Sequence, residues 1–326
     1  MMTKQRRGSV VLTSAFVLAA GLYGLWTPDV DRAELLLRYG APSQHELVVD
    51  GLHVHYQASG PVDAPVVVLL HGFGSSLQTW DAWTPQLATK FRVISLDLPG
   101  FGLTGEVPSK NYSERQDVAT LRRFVDQLGV STFSIVGHSL GGKIAWSLAA
   151  DQPERVQALV LMAPDGFAPA EQWGNKPYEV PAAMGLMKYA LPKYMLRQVL
   201  ESAFFDPACL TSPMVSRYHD MLRAPGVRAA ILDRADQTVN TDPRSRLKQI
   251  KAPTLLLWGE NDAMIPSSNA SSYAAVLARS HTVVLPKLGH VIQEEQPAQG
   301  LAEVDAFLSA QLLPTQASAR QSDGLR

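Results

Sequence analysis

The 326-residue sequence has one cysteine, Cys209, which excludes an internal disulfide and a cysteine-based metal cluster. It also lacks an excess of either charge, since 29 lysines and arginines face 30 aspartates and glutamates and the formal net charge is −1. Without a basic excess to neutralise phosphates, we expect no nucleic-acid partner. The eight histidines show no spacing typical of a metal site, and we expect no metal or other cofactor.

Hydrophobic residues make up 46% of the sequence and charged residues 18%. This balance excludes a disordered or low-complexity protein, whose composition is polar and rich in charge. The chain is longer than the about 100–150 residues of a common domain. We therefore expect one large globular body with additional segments.

An uncharged, mostly apolar stretch over residues 8–28 follows three basic residues, Lys4, Arg6 and Arg7. About twenty helical residues cover the roughly 30 Å hydrocarbon layer of a bilayer. Tyr23 and Trp26 stand at the far end, where aromatic rings favour the membrane interface. Residues 1–28 are therefore predicted to be a membrane anchor or a signal segment.

A retained anchor and a cleaved signal peptide are both compatible with this segment. Cleavage would follow Ala19 or Ala20, but the apolar run continues beyond them through Leu25 and Trp26, which favours a retained anchor. The basic flank favours the cytoplasmic side. In either case we expect the globular body on the extracytoplasmic, periplasmic side.

The body alternates between short apolar runs and helical patterns. Residues 45–49 and 52–56 flank Asp50-Gly51, which predicts a hairpin with a tight turn. Apolar runs without alternation, typical of strands buried on both faces of a parallel sheet, lie at 65–70, 91–96, 133–136, 156–162, 254–258 and 281–285. Helical patterns lie at 79–89, 113–128, 139–150, 269–278 and 297–312. The alternation predicts a doubly wound α/β fold with a mostly parallel sheet.

One interval, residues 165–251, has no buried-strand run and is helical and rich in methionine. We interpret it as a lid inserted after the sixth strand. Its methionines are equally compatible with core packing and with a groove that binds an acyl chain. The remaining segments are predicted to be a linker helix at 29–44, a core formed by 45–164 together with 252–313, and a disordered tail at 314–326.

The strand at 133–136 runs into Gly-His-Ser-Leu-Gly-Gly at residues 137–142, followed by a helical pattern. Small residues two before and two after a serine are what a very tight strand-to-helix turn requires. Such a turn raises the Ser139 hydroxyl above the sheet, beside a helix N-terminus that favours negative charge. Ser139 is therefore a candidate nucleophile.

Other candidate residues follow strand ends in the same way. Asp262 closes Trp-Gly-Glu-Asn-Asp after the strand at 254–258, and His290 closes Leu-Gly-His after the last strand. The carboxyl ends of strands in an open α/β sheet share one crevice, so these side chains are expected to meet. The His-Gly-Phe-Gly loop at 71–74 can aim a backbone N–H at the same place, and we expect the amides of Phe73 and Leu140 to stabilise an oxyanion there.

These motifs resemble those of the α/β-hydrolase family over residues 48–312, including the Asp-Leu-Pro-Gly-Phe-Gly loop at 97–102. The sequence is most similar to bacterial lipolytic esterases and to membrane-anchored monoacylglycerol lipases. The resemblance implies that Ser139 is the nucleophile, His290 the general base and Asp262 its orienting acid. It also implies a carboxylic ester substrate that is lipid-like or carries a short to medium acyl chain.

Several alternatives remain open at this point. Asp165 follows the sixth strand, where some family members carry their acid. Dehalogenases and epoxide hydrolases of this fold need a carboxylate nucleophile, which Ser139 excludes. A carbon–carbon hydrolase of aromatic ring-cleavage products keeps the serine, and a non-catalytic binding protein of this fold is a further alternative.

Four other histidines are predicted to pack the turns or to lie at the surface rather than to take part in catalysis. His71 and His138 lie inside the motifs and are interpreted as packing the turns. His53 and His55 share one face of an early strand and are expected to be exposed to solvent.

Overall fold

The computed structural model describes residues 25–168, 174, 177 and 179–313. Its centre is an eight-stranded sheet in the order β1-β2-β4-β3-β5-β6-β7-β8. The strands are β1 (Gln44–Val49), β2 (Leu52–Ser59), β3 (Val66–Leu70), β4 (Arg92–Leu96), β5 (Phe133–His138), β6 (Val156–Met162), β7 (Thr254–Gly259) and β8 (Ser280–Leu285). The pairs β1–β2 and β2–β4 are antiparallel and the others parallel, which confirms the predicted α/β fold.

Helices connect the strands and cover both faces of the sheet. They are α1 (Arg32–Tyr39), α2 (Thr84–Leu87), α3 (Glu114–Gln127), α4 (Leu140–Asp151), α5 (Lys193–Glu201), α6 (Ser212–Leu222), α7 (Val227–Gln237), α8 (Arg244–Leu247), α9 (Asn269–Ala274), α10 (Ile292–Glu295) and α11 (Pro297–Leu312). The expected single helix over 79–89 is instead a 3₁₀ turn (Leu77–Trp80) followed by α2. The reason is Pro85, which lacks a backbone donor and restricts the residue before it, so a helix begins there rather than continuing through.

The core lies in two layers, one on each face of the sheet. Successive residues of a strand point to opposite faces, and Ile135 and Val136 accordingly belong to different buried clusters. Ile135 packs in the cluster that contains Phe124 of α3, while Val136 packs in the cluster that contains Trp83 and Val304. Burial on both faces explains why the central strands read as continuous apolar runs.

The segment between β6 and β7 contains helices α5 to α8, as expected for an insertion after the sixth strand. Tyr218 and Met221 of α6 are buried in the larger cluster, whereas Tyr194 and Val199 of α5 are exposed. The insertion also contacts the start of the described chain. Thr27 donates its N–H to the carbonyl of Tyr189 at 2.8 Å, and Trp26 stacks on the Tyr189 ring with centroids 5.9 Å apart.

Within the described ranges, no helix combines the length and hydropathy needed to cross a bilayer. Residues 1–24, most of the predicted anchor or signal segment at 1–28, lie outside the described residues, as does the predicted tail at 314–326.

His55 is buried, so the expectation that it is exposed with His53 is wrong. The loop after β4 covers His55, because its Nδ1 donates to Asp97 Oδ2 at 2.7 Å and its backbone N–H donates to Thr104 Oγ1 at 2.9 Å. Asp97 also accepts from the N–H of Leu77 at 2.7 Å. Burial raises the pKa of the Asp97 carboxyl, but these hydrogen bonds and the nearby histidines outweigh burial and hold it below its ordinary value.

Candidate active site

Ser139 lies at the junction of β5 and α4 with φ 52° and ψ −118°, a backbone conformation that costs a non-glycine residue free energy. The neighbouring glycines leave no room for side chains. A Cβ on Gly137 would lie 2.5 Å from the carbonyl oxygen of Gly141, and a Cβ on Gly141 would lie 2.4 Å from that of Leu70. The spacing of small residues around Ser139 is therefore a packing requirement of the turn.

His290 and Asp262 are brought together from two different strand ends. His290 Nδ1 donates to Asp262 Oδ2 at 2.7 Å, and both side chains are buried. The other carboxylate oxygen of Asp262 accepts from the N–H groups of Met264 and Ile265, each at 2.8 Å. Because Nδ1 carries the proton, Nε2 of the neutral ring is left as the proton acceptor.

Asp165, the alternative acid, occupies a different position. Its N–H donates to the carbonyl of Ser139 at 3.1 Å, and its carbonyl accepts from Trp146 Nε1 at 2.9 Å. Within the described part of the chain its carboxylate contacts no histidine, whereas Asp262 is bonded to His290. Of the two candidate acids, the geometry brings Asp262 to the imidazole.

The loop at residues 71–74 lies against the serine. A Cβ on Gly72 would be 3.2 Å from Ser139 Cβ and 2.8 Å from His138 Nδ1. Among the described residues, the backbone N–H groups of Phe73 and Leu140 find no hydrogen-bond acceptor. Two unpaired donors, one in the loop that lies against Ser139 and one directly after it in the chain, are what an oxyanion site requires.

His138 and Gln293 support this arrangement and were not predicted as a pair. His138 Nε2 donates to the carbonyl of His290 at 2.9 Å, and the two rings lie 4.6 Å apart. Gln293 Nε2 donates to His138 Nδ1 at 3.3 Å, which fixes the neutral tautomer. Burial, and then the charge of His290, hold the pKa of His138 well below its ordinary value. His138 is therefore a neutral donor that positions the segment carrying His290.

A buried carboxylate ties the insertion to the same segment. Glu294 accepts from Thr79 Oγ1 at 2.5 Å, Arg217 Nη2 at 2.6 Å and Tyr218 Oη at 2.9 Å. Arg217 and Tyr218 belong to α6 of the insertion, and Glu294 follows His290 by four residues. The only sequence signal for this contact was the polar Gln-Glu-Glu-Gln run at 293–296 that follows the apolar Val291 and Ile292.

A cavity of about 790 Å³ opens at the serine, a size that suits a small organic molecule. Phe73, Ser139 and Leu140 line it, and residues 234–235 and 237–241, at the end of α7 and just beyond it, form part of its wall. The described residues that line it include no methionine, so the methionines of the insertion belong to packing and to the surface rather than to this cavity. In the described ranges no group of three or more histidine, cysteine or acidic side chains could hold a metal ion.

Comparisons with known proteins agree with this geometry. A family model described as the alpha/beta hydrolase fold matches residues 65–297. An acetyltransferase component of the acetoin cleaving system of Pseudomonas putida is 30% identical over 85% of this chain and 74% of its own. A 2-hydroxy-6-oxo-6-phenylhexa-2,4-dienoate hydrolase of Comamonas testosteroni is 28% identical over 74% of this chain and 86% of its own.

Among solved structures, a bacterial membrane phospholipase A superposes with a TM-score of 0.73 at 27% identity. The superposition covers 95% of this chain and all of the other. The similarity therefore extends beyond the sheet to the insertion and the segment that precedes the sheet.

The backbone strain at Ser139 can be measured directly. Because only glycine adopts a positive φ without cost, Ser139→Gly is expected to have a higher free energy of unfolding than Ser139→Ala by about 1–3 kcal/mol. The alanine variant is the matched control, since it also removes the hydroxyl but keeps the Cβ. Urea denaturation of both proteins provides the measurement, and equal stability, or a less stable glycine variant, would contradict strain at this position.

Proposed function

The chain belongs to the α/β-hydrolase family, and we propose that it is a serine hydrolase that cleaves carboxylic esters through an acyl-enzyme. The observation that carries this proposal is the 2.7 Å bond between His290 and Asp262, with the His290 ring 4.6 Å from that of His138, the residue before the strained Ser139. A buried carboxylate that orients a histidine towards a serine hydroxyl is the arrangement that activates a serine.

The reaction follows from these positions. His290 Nε2 accepts the Ser139 proton as Oγ attacks the ester carbonyl, and the N–H groups of Phe73 and Leu140 stabilise the oxyanion. The protonated His290 then gives its proton to the leaving alcohol. Water, activated by the same imidazole, releases the acid and restores the serine. Asp262 keeps the ring in the required tautomer and stabilises its charge.

An ester substrate is preferred over the other reactions of the fold. The serine at position 139 does not provide the carboxylate nucleophile that dehalogenases and epoxide hydrolases of this fold need. The 27% identity to a membrane phospholipase A over nearly the whole chain supports a lipid-like or short to medium acyl ester.

A carbon–carbon hydrolase of ring-cleavage products is the second candidate, favoured by the 28% identity to the Comamonas testosteroni dienoate hydrolase. Such enzymes commonly carry an arginine near the acid. Here exposed Glu260 and Asn261 precede Asp262, which argues against this alternative.

The two reactions are distinguished by two kinds of substrate. One is a panel of p-nitrophenyl esters of graded acyl length, and the other is 2-hydroxy-6-oxo-6-phenylhexa-2,4-dienoate, the compound in the name of the Comamonas testosteroni relative. We expect ester cleavage to exceed loss of the dienoate, and Ser139→Ala to lower kcat by several orders of magnitude. An organophosphonate is expected to label Ser139 stoichiometrically, as read by peptide mass spectrometry. Label at another residue, or faster dienoate cleavage, would refute the proposal.

The choice of acid gives a separate prediction. Asp262→Asn is expected to lower kcat by about three to four orders of magnitude, because the amide no longer holds His290 in the required tautomer. Asp165→Asn makes the same nearly isosteric change from carboxylate to carboxamide and is the matched control, expected to retain most of the activity. Steady-state kinetics of both variants, with thermal melts to verify folding, provide the measurement. A greater loss in Asp165→Asn would assign the acid to the segment after β6.

We further propose that residues 8–26 hold the enzyme at a membrane with its catalytic body on the periplasmic side. Lys4, Arg6 and Arg7 precede the apolar stretch, and acids predominate at 29–34, so charge favours an N-terminus inside. In the described part, Trp26, the last residue of the proposed membrane segment, is exposed and stacks on Tyr189 of the insertion.

Fractionation of cells that express the full chain, followed by sequencing of the mature N-terminus, tests the anchor. We expect the enzyme in the membrane fraction with its N-terminal segment intact, and its body digestible by protease in spheroplasts. A soluble product that begins near Gly21 or Leu22 would instead show a cleaved signal peptide. A body that resists protease in intact spheroplasts would contradict the orientation.

A further inference from the structure

Lys143 is a buried cation that the proposed reaction does not use. It lies on α4 one turn after Ser139, and its N–H donates to the carbonyl of Ser139 at 3.0 Å. Its side chain is only 9% exposed, and it lines the same cavity as Ser139. A lysine is seldom buried without a partner, because desolvation of the ammonium is costly.

The carboxylate that pairs with Lys143, that of Glu114, is shared with a second cation and lies farther from Lys143 than a hydrogen bond. Lys143 Nζ lies 3.5 Å from Glu114 Oε2, and within the described part of the chain the ammonium makes no hydrogen bond. The other carboxylate oxygen of Glu114 accepts from Arg246 and, at 2.7 Å, from Ser147 Oγ. Two cations therefore share one carboxylate, and Arg246 is the nearer. The ammonium of Lys143 keeps donors that a further anion can accept.

The other buried cation that lines the cavity, Arg234, is already paired with a carboxylate. Arg234 donates to both carboxylate oxygens of Asp117, at 2.5 and 2.9 Å. Asp165 is the carboxylate on this wall for which the described residues supply no cation. Of these two buried cations, Lys143 is therefore the one whose N–H donors are not used by the described residues.

The helix relates Lys143 to the nucleophile. Ser139 is the N-cap of α4 and Lys143 follows one turn into the helix, and both residues line the same cavity. Side chains also lean towards the helix N-terminus, which here is the end at Ser139. A substrate whose carbonyl lies at Ser139 can therefore place a second group, a few bonds away, at the ammonium.

We propose that Lys143 binds an anionic group of the substrate, a carboxylate or a phosphate, so that the preferred esters carry a negative charge a few bonds from the scissile carbonyl. This inference rests on the proposed hydrolase activity and narrows its substrate class. It also fits the charged wall of the cavity, which no described methionine lines.

The test compares esters of equal chain length. The neutral substrate is p-nitrophenyl hexanoate, and the anionic ones are the mono-p-nitrophenyl esters of adipic acid and of 5-phosphonopentanoic acid. The two anionic esters distinguish a carboxylate from a phosphate-type group. We expect the native enzyme to favour at least one of them by kcat/KM, after subtraction of uncatalysed hydrolysis.

Lys143→Met, which keeps the length but not the charge, is expected to lower the anionic-to-neutral ratio of kcat/KM by about tenfold or more, mainly through KM. Lys143→Arg is expected to retain most of the ratio. Lys251→Met, at a surface lysine that is 64% exposed, is the control and leaves the ratio unchanged. Asp165→Asn is expected to raise the ratio, because it removes a negative charge from the same wall.

A binding experiment separates this inference from the proposed reaction. Calorimetric titration of monomethyl adipate into Ser139→Ala, with and without Lys143→Met, needs no turnover. Tighter binding to the protein that keeps Lys143 supports the inference. Equal binding, or a ratio of kcat/KM that Lys143→Met does not change, would overturn it. A native enzyme that cleaves none of the esters would instead overturn the proposed function.

Discussion

The positive φ of Ser139 is the constraint on which the site depends. A tight turn at that point is possible only because Gly137 and Gly141 allow the backbone of α4 to approach β5 and the carbonyl of Leu70. The same close packing brings the end of β3, and the loop that follows it, against the serine. One local backbone conformation therefore fixes the positions of the hydroxyl, the helix N-terminus and the candidate oxyanion donors together.

Local patterns were sufficient to predict the sheet and the three triad candidates. Buried strands, the Asp50-Gly51 turn and the glycines around Ser139 each depend on neighbouring residues, so the sequence carries them directly. The burial of His55 and the contacts of His138 and Glu294 could not be predicted in this way. They join segments far apart in the chain, such as His138 and His290, which are 152 positions apart.

The insertion also shows why composition alone is a weak guide to a binding site. Its methionines suited core packing and an acyl-chain groove equally, and in the structure Met221 packs in the core and Met195 is exposed. The cavity at Ser139 is bordered by ion pairs instead, among them Arg234 with Asp117. A buried charge is retained in such a place only when partners surround it, so the selectivity of this cavity depends on how those pairs are completed.

The contact between Thr27 and Tyr189 has a mechanical consequence. The chain before the sheet is bonded to the insertion, through the Tyr189 carbonyl and through the Thr27 hydroxyl, which accepts from the N–H of Leu191 at 3.0 Å. Further bonds join the same two segments, among them the one from Arg228 Nη2 to Asp29 Oδ1 at 2.6 Å. If the insertion moves away from the cavity, it must either carry this leading segment with it or break all of these bonds. A pull on the N-terminus would therefore reach the insertion before it reached the sheet.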